Sequence, residues 1–315
     1  MSIRWTIPLS GVLILAALIL SSCAGPAPRH PAGVAADAEW ARAMKAGRTA
    51  FERGDLDLAA RFYGAALSRG RIRDNASAIA DAAYNLAACR LAQGEHESAR
   101  ALLKEAKAEM ARSHEEPGGD VLLVEAQVAW LMGEPEKAFS LTEQLLDGPQ
   151  TEVAEGLQRQ ARLLRGKIAC VEGNAERATA ELQSADTIGG DPANPAVNAV
   201  RSELTGCISL LQGDAAQAAR HFDREAEFLR EAGHYRTMAD ALIRAGDAYH
   251  RAFLEGEAAD RWFRAARTIF TLGDSPQARD LAAKALGAAT ETKDQSLQER
   301  TRSLLEEIQA ADTDR

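Results

Sequence analysis

The side chains able to do chemistry are few and scattered. Six histidines, at 30, 96, 114, 221, 234 and 250, include no pair four residues apart on a helix and none beside cysteine at metal-ligand spacing. They predict no metal centre and no cofactor. Glycine-rich phosphate loops, Gly-x-Ser-x-Gly elbows and isolated carboxylate pairs are missing too, so nucleotide, hydrolase and glycosidase chemistry lack residues to carry them. Asp and Glu outnumber Lys and Arg, 46 to 37, for a net charge of −9. The charges are interspersed, with no basic patch to neutralise a phosphate backbone, which argues against a nucleic-acid partner. Acidic residues on amphipathic helices read as a solvated face. Cys89, Cys170 and Cys207 fall in helical stretches, where cysteine behaves as a small buried hydrophobe. The alternative reading is a Cys170–Cys207 disulfide between adjacent helices.

A fourth cysteine belongs to a different pattern. Residues 1–22 read as a signal peptide, with Arg4 in a polar start and an apolar run from Leu9 to Leu20, too short to span a bilayer comfortably. The ending Leu20-Ser21-Ser22-Cys23 resembles the bacterial lipoprotein lipobox. The resemblance implies cleavage before Cys23 and acylation of it, palmitate included, several chains anchoring more firmly than one. Ala24 stands where an inner-membrane retention signal would place Asp, which implies the outer membrane with the body facing the periplasm; inner-membrane anchoring is the alternative. Residues 23–36, rich in proline, read as the lipidated cysteine and a flexible tether.

What remains must position any functional surface. Hydrophobic residues make up 46 % of the chain and aromatics only 5 %. With Ala, Leu, Glu and Arg dominant after residue 37, the expected class is all-α. Glycines at 54, 94, 133, 173 and 213 recur about every forty residues. Seven residues before each stands a small residue (Gly47, Ala87, Ala126, Gly166, Gly206) and five after each stands alanine. Large apolar residues follow, among them Tyr63, Leu103 and Phe222. The spacing predicts helical hairpins: the glycine permits the turn, the small residue marks the helix crossing, and the large residues pack against the neighbouring hairpin. One hairpin alone leaves an apolar face open, so several must stack.

This small–Gly–Ala–large spacing resembles the tetratricopeptide repeat, although its period exceeds the usual ~34 residues. The resemblance implies an α-solenoid of antiparallel hairpins in a right-handed superhelix over 37–311. Its units span 40–73, 80–113, 119–152, 159–192, 199–232 and 239–272, with a capping hairpin at 275–311 and an insertion around Phe253–Gly256 in the sixth unit. In that family the first helices line a peptide-binding groove. Carried onto this chain, the groove positions fall on Met44, Arg48, Phe51, Tyr84, Leu91, Leu123, Gln127, Trp130 and Leu163, then Lys167, Glu203, Leu210, Ile243, Asp247 and His250. Such a lining suits an extended or helical apolar segment of another envelope protein. The expected function is a membrane-anchored scaffold in an envelope assembly, such as outer-membrane protein, pilus, secretion or polysaccharide-export machinery. Control of peptidoglycan enzymes, binding of a small ligand or glycan, and homo-oligomerisation are the other readings.

Overall fold

Strong helix formers interrupted by short polar turns leave the backbone little choice. The computed structural model describes residues 37–148, 153–188 and 194–313. Among them are fourteen α-helices and no strand. They pair in order as α1 (Ala38–Glu52) and α2 (Leu56–Ile72), α3 (Ala76–Ala92) and α4 (His96–Arg112), α5 (Gly119–Leu131) and α6 (Pro135–Asp147), and α7 (Glu155–Val171) and α8 (Ala175–Thr187). The sequence continues with α9 (Pro195–Leu211) and α10 (Ala215–Glu231), α11 (Tyr235–Arg251) and α12 (Glu255–Thr271), and α13 (Ser275–Glu291) and α14 (Gln295–Thr313). This is an all-α array of tetratricopeptide-like hairpins. The expected signal peptide, acylated Cys23 and tether lie outside the described residues. No described helix is long and apolar enough to cross a membrane.

The turns explain the spacing. At Gly213, φ is +85°, in the left-handed region that glycine reaches without steric cost. The next residue then serves twice. Asp214 donates its backbone N–H to the Ser209 carbonyl at 2.9 Å, closing α9, and its carboxylate accepts from the Gln217 N–H at 2.8 Å, opening α10. Left-handed residues recur at 213, 233, 253, 273 and 293, and in the amino-terminal half at 54, 74, 94, 114 and 133. The underlying beat is therefore one helix and turn per twenty residues. Glycine marks only some of these turns, because Asp74, His114, Phe253 and Lys293 adopt the same conformation.

Two expectations need correction. The insertion around Phe253–Gly256 does not exist: Phe253, at φ +60°, is the turn residue forty positions after Gly213, and α12 starts at Glu255 after a turn of ordinary length. A glycine-based reading lost the register there because no glycine occupies the turn. Nor do the large residues simply fill gaps against the next hairpin. A Cβ on Gly47, Gly206 or Gly246 would come within 2.7, 2.6 or 2.5 Å of Tyr63, Phe222 or Trp262, so each ring sits on the glycine of its own hairpin. Several hairpins also begin about four residues earlier than the repeat units, as at Ala76 and Pro195, where Asn75 and Asn194 cap the helices.

The chain divides into two compact units, whose described residues are 37–165 with 184–188, and 166–183 with 194–313. In the first, Trp40, Tyr63, Tyr84, Leu103 and Leu123 are buried, and the Trp40 indole donates to the Ala78 carbonyl at 3.2 Å. In the second, Phe222, Leu229, Leu242, Trp262, Ile269, Leu281 and Leu304 belong to one apolar cluster. Burying each such side chain contributes about 1.5–3 kcal/mol before entropy is counted.

Candidate functional site

The first helix of each hairpin carries the expected groove positions, and packing sorts them into two classes. In the first unit Met44, Phe51, Tyr84, Leu91, Leu123, Gln127 and Leu163 are buried, while Arg48 and Trp130 remain half-buried. In the second, Lys167 and Glu203 are buried, Leu210, Ile243 and Asp247 are half-buried, and His250 is exposed. A partner reaches only the half-buried and exposed members in this conformation. The buried aromatics fill the spaces between helices, where Tyr84 is shut off as fully as the core leucines.

The second unit holds charge where the array is otherwise apolar. Lys167 Nζ on α7 lies 2.9 Å from Glu203 Oε2 on α9, both side chains being less than a tenth exposed. The pair is close but off-axis, so neither atom makes a hydrogen bond of good geometry. Arg244 on α11 donates from Nη2 to Glu225 Oε1 on α10 at 2.5 Å, and the second oxygen of the fully buried Glu225 has no partner. Burial pushes the Glu225 carboxyl upward and Arg244 pulls it back. Asp240, one turn before Arg244, is raised to about 6 by burial, against the attraction of Arg244 and Arg236. The Cys207 thiol is hydrogen-bonded to Cys170, a contact that, together with burial, pushes it well above the ordinary thiol range.

These residues form a polar seam from α7 through α9 and α10 to α11. Buried ion pairs add little net stability, since desolvation offsets their attraction, but removing one partner strands the other. The pairs therefore penalise any repacking of the four helices that separates them.

Beside the seam lies a reachable ledge. Asp247 accepts from the Trp262 indole at 3.0 Å and from Lys284 Nζ at 2.6 Å, and the same ammonium stands 4.0 Å from the centre of the Trp262 ring. His250 Nδ1 is 2.8 Å from Glu255. Among α10, α11 and α12, Tyr249 donates its hydroxyl to Asp223 at 2.9 Å, and Arg261 holds that carboxylate with two nitrogens at 2.8 and 3.1 Å. Burial and Asp223 together raise the Tyr249 phenol to about 12.

The first unit has a cavity of about 260 Å³ lined by Arg100, Lys104, Lys107, Glu125 and Lys137. Glu125 sits among the cations, 2.6 Å from Lys107 and 3.6 Å from Lys137, and neutralises part of their charge. Among the described residues, no group of three or more histidines, cysteines and carboxylates is arranged to hold a metal ion.

Sequence reasoning missed Glu225 and Arg244 by reading charged helical positions as solvated. The repeat register carries a signal that would find the first of them. Glu225 occupies the position held by Ala66, Ala106, Leu145, Ala185 and Ala265 in other hairpins, whereas the position of Arg244 is held by Lys45, Asn85 and Lys284 as well as by Val124, Leu164 and Leu204 and carries no such signal. A charge at a position otherwise filled by small or aliphatic residues marks burial with a partner.

No protein-family model and no curated protein sequence matches the chain. Solved structures do. The apo form of the quorum sensor NprR from B. thuringiensis is 9 % identical, with 86 % of this chain and 87 % of that one covered and a TM-score of 0.59. A Rap protein complexed with Competence and Sporulation Factor is 13 % identical, with 87 % and 96 % covered and a TM-score of 0.54. A tetratricopeptide repeat protein from Parabacteroides merdae ATCC 43184 is 14 % identical over 84 % and 99 %, with a TM-score of 0.48. At such identities the likeness to the first two is one of fold.

Proposed function

We propose that this chain is a protein-binding scaffold, tethered to the outer membrane through acylated Cys23 and serving an envelope assembly in the periplasm, and that it is not an enzyme. The observation that carries the reading is the set of reachable side chains on successive first helices of the second unit, Leu210, Ile243, Asp247 and His250, backed by Lys284 and the Trp262 ring. Apolar side chains beside an acid and a base suit a peptide or helix presenting both apolar and polar side chains. That a Rap protein of the same fold has been crystallised with Competence and Sporulation Factor supports partner binding by such an array. The lipobox at Cys23 supports the anchor, and Ala24 supports the choice of membrane.

Photo-crosslinkers at Ile243 and His250, with a control at the exposed Glu227 on α10, test the reading in intact cells. Capture of one envelope protein at the two groove positions and not at Glu227 is the expected result. Equal capture at all three sites, or capture of a second copy of the chain alone, argues against a groove for another protein. Labelling with a palmitate analogue, lost in Cys23→Ser, tests the anchor separately.

A further inference from the structure

We infer that Cys170 and Cys207 are an oxidisable thiol pair, a modification site that closes to a disulfide between α7 and α9 with a small-molecule or protein disulfide as its oxidant. The inference stands apart from the scaffold reading. Three contacts hold the two helices in register. A Cβ on Gly166 would lie 2.6 Å from Leu204 Cδ2, so the helices approach as closely as a glycine allows. One turn further along α7 and α9 the thiols are hydrogen-bonded to each other. Beside the first of these levels the Lys167–Glu203 pair spans the same two helices at 2.9 Å. A disulfide bond is about 2.0 Å long and needs Cα atoms about 4.4–6.8 Å apart, a spacing that the close approach of the helices at Gly166 favours.

Unequal access orders the steps. Cys207 is partly reachable, whereas Cys170 is buried. The Cys207 thiolate attacks one sulfur of R–S–S–R; the oxidant's S–S bond breaks, and R–S⁻ departs and takes up the proton that Cys207 gave. Cys170 then attacks the Cys207 sulfur of the mixed disulfide, expelling the second R–S⁻, which takes the Cys170 proton. Two thiols lose two electrons, and one disulfide becomes two R–SH. The charge of Arg244 favours the Cys207 thiolate and assists the first attack, against the contact with Cys170, burial and Glu203, which hold the thiol protonated and make the step slow.

The test uses the full chain with oxidised glutathione, at a ratio that oxidises the same chain in denaturant, followed by alkylation, trypsin digestion and mass spectrometry. The expected product joins the peptide 168–177 to the peptide 202–220. It persists in Cys89→Ser and disappears in Cys170→Ser, where a glutathione adduct accumulates on Cys207. Circular dichroism checks that each variant is folded. A glutathione adduct persisting on Cys207 of the unmodified chain, a link from either cysteine to Cys89 or Cys23, or both thiols remaining reduced would each overturn the inference.

Discussion

Gly246→Ala tests whether the aromatic rings sit on glycine by necessity. An added Cβ would lie 2.5 Å from Trp262 Nε1, 2.6 Å from Cδ1 and 3.1 Å from Cε2. The ring cannot swing aside freely, because Trp262 is buried, its indole donates to Asp247 at 3.0 Å, and Lys284 covers its face. Alanine in a helix interior is ordinarily favoured over glycine by about 1 kcal/mol. Against that gain stand an overpacking cost of about 1–3 kcal/mol and about 0.5–1.5 kcal/mol for a lost indole hydrogen bond. The net expectation is destabilisation by about 2 kcal/mol, the dominant contribution being the overpacking. Gly287→Ala on α13 is the control: nothing lies within 4 Å of its Cβ, so propensity acts alone. It should gain about 0.5–1 kcal/mol. Urea melts followed by circular dichroism measure both, and Gly246→Ala combined with Trp262→Leu should recover part of the loss. A Gly246→Ala protein as stable as its parent would refute the reasoning.

The remaining predictions concern turns and buried charge. Phe253→Gly should raise stability by up to about 1 kcal/mol, because the left-handed conformation costs an L-residue about 1–2 kcal/mol and glycine returns part of that as chain entropy; a lower urea midpoint would mean that the exposed ring makes a stabilising contact. Lys167→Met should cost about 3–5 kcal/mol by stranding Glu203, whereas adding Glu203→Leu should restore most of it; equal stability of single and double variants in the melts would contradict a coupled pair. Asp240 is raised from its ordinary value to about 6 in the folded chain, so folding takes up protons between those values and stability falls as pH rises through them. Asp240→Asn removes that loss: its advantage over the parent should be absent below pH ~4 and reach on the order of 2–3 kcal/mol at pH 7, and parallel melting curves at pH 4 and pH 7 would count against it.

How much of this was legible in the residues follows from what each position must do. Turn glycines and small crossing residues answer to backbone geometry, which does not depend on distant partners, so the hairpins could be read from spacing. Four of the eleven left-handed turns among the described residues show no glycine, because Asp74, His114, Phe253 and Lys293 accept the conformation that glycine elsewhere advertises. The groove was harder. Helical periodicity places Phe51 and Tyr84 on the same stripe as Trp130, but their accessibility depends on how deeply each neighbouring helix sits, a tertiary property. Glu225 and Arg244 resemble surface residues by type, and only their partners, on different helices, explain their burial.

The twenty-residue beat has a consequence for how such a chain can change length. Every turn reverses the chain, so helices alternate between odd and even members, and the odd ones carry the expected groove positions and the thiol pair. Duplicating a single helix with its turn would preserve every local hydrogen bond and still exchange the parity of everything after it. Inserted between α10 and α11, such a helix would also separate Glu225 from Arg244. Growth or loss in multiples of forty residues leaves parity intact. Tandem duplication of whole hairpins is thus the step that adds length while leaving existing surfaces where they were, and the length of the array is quantised accordingly.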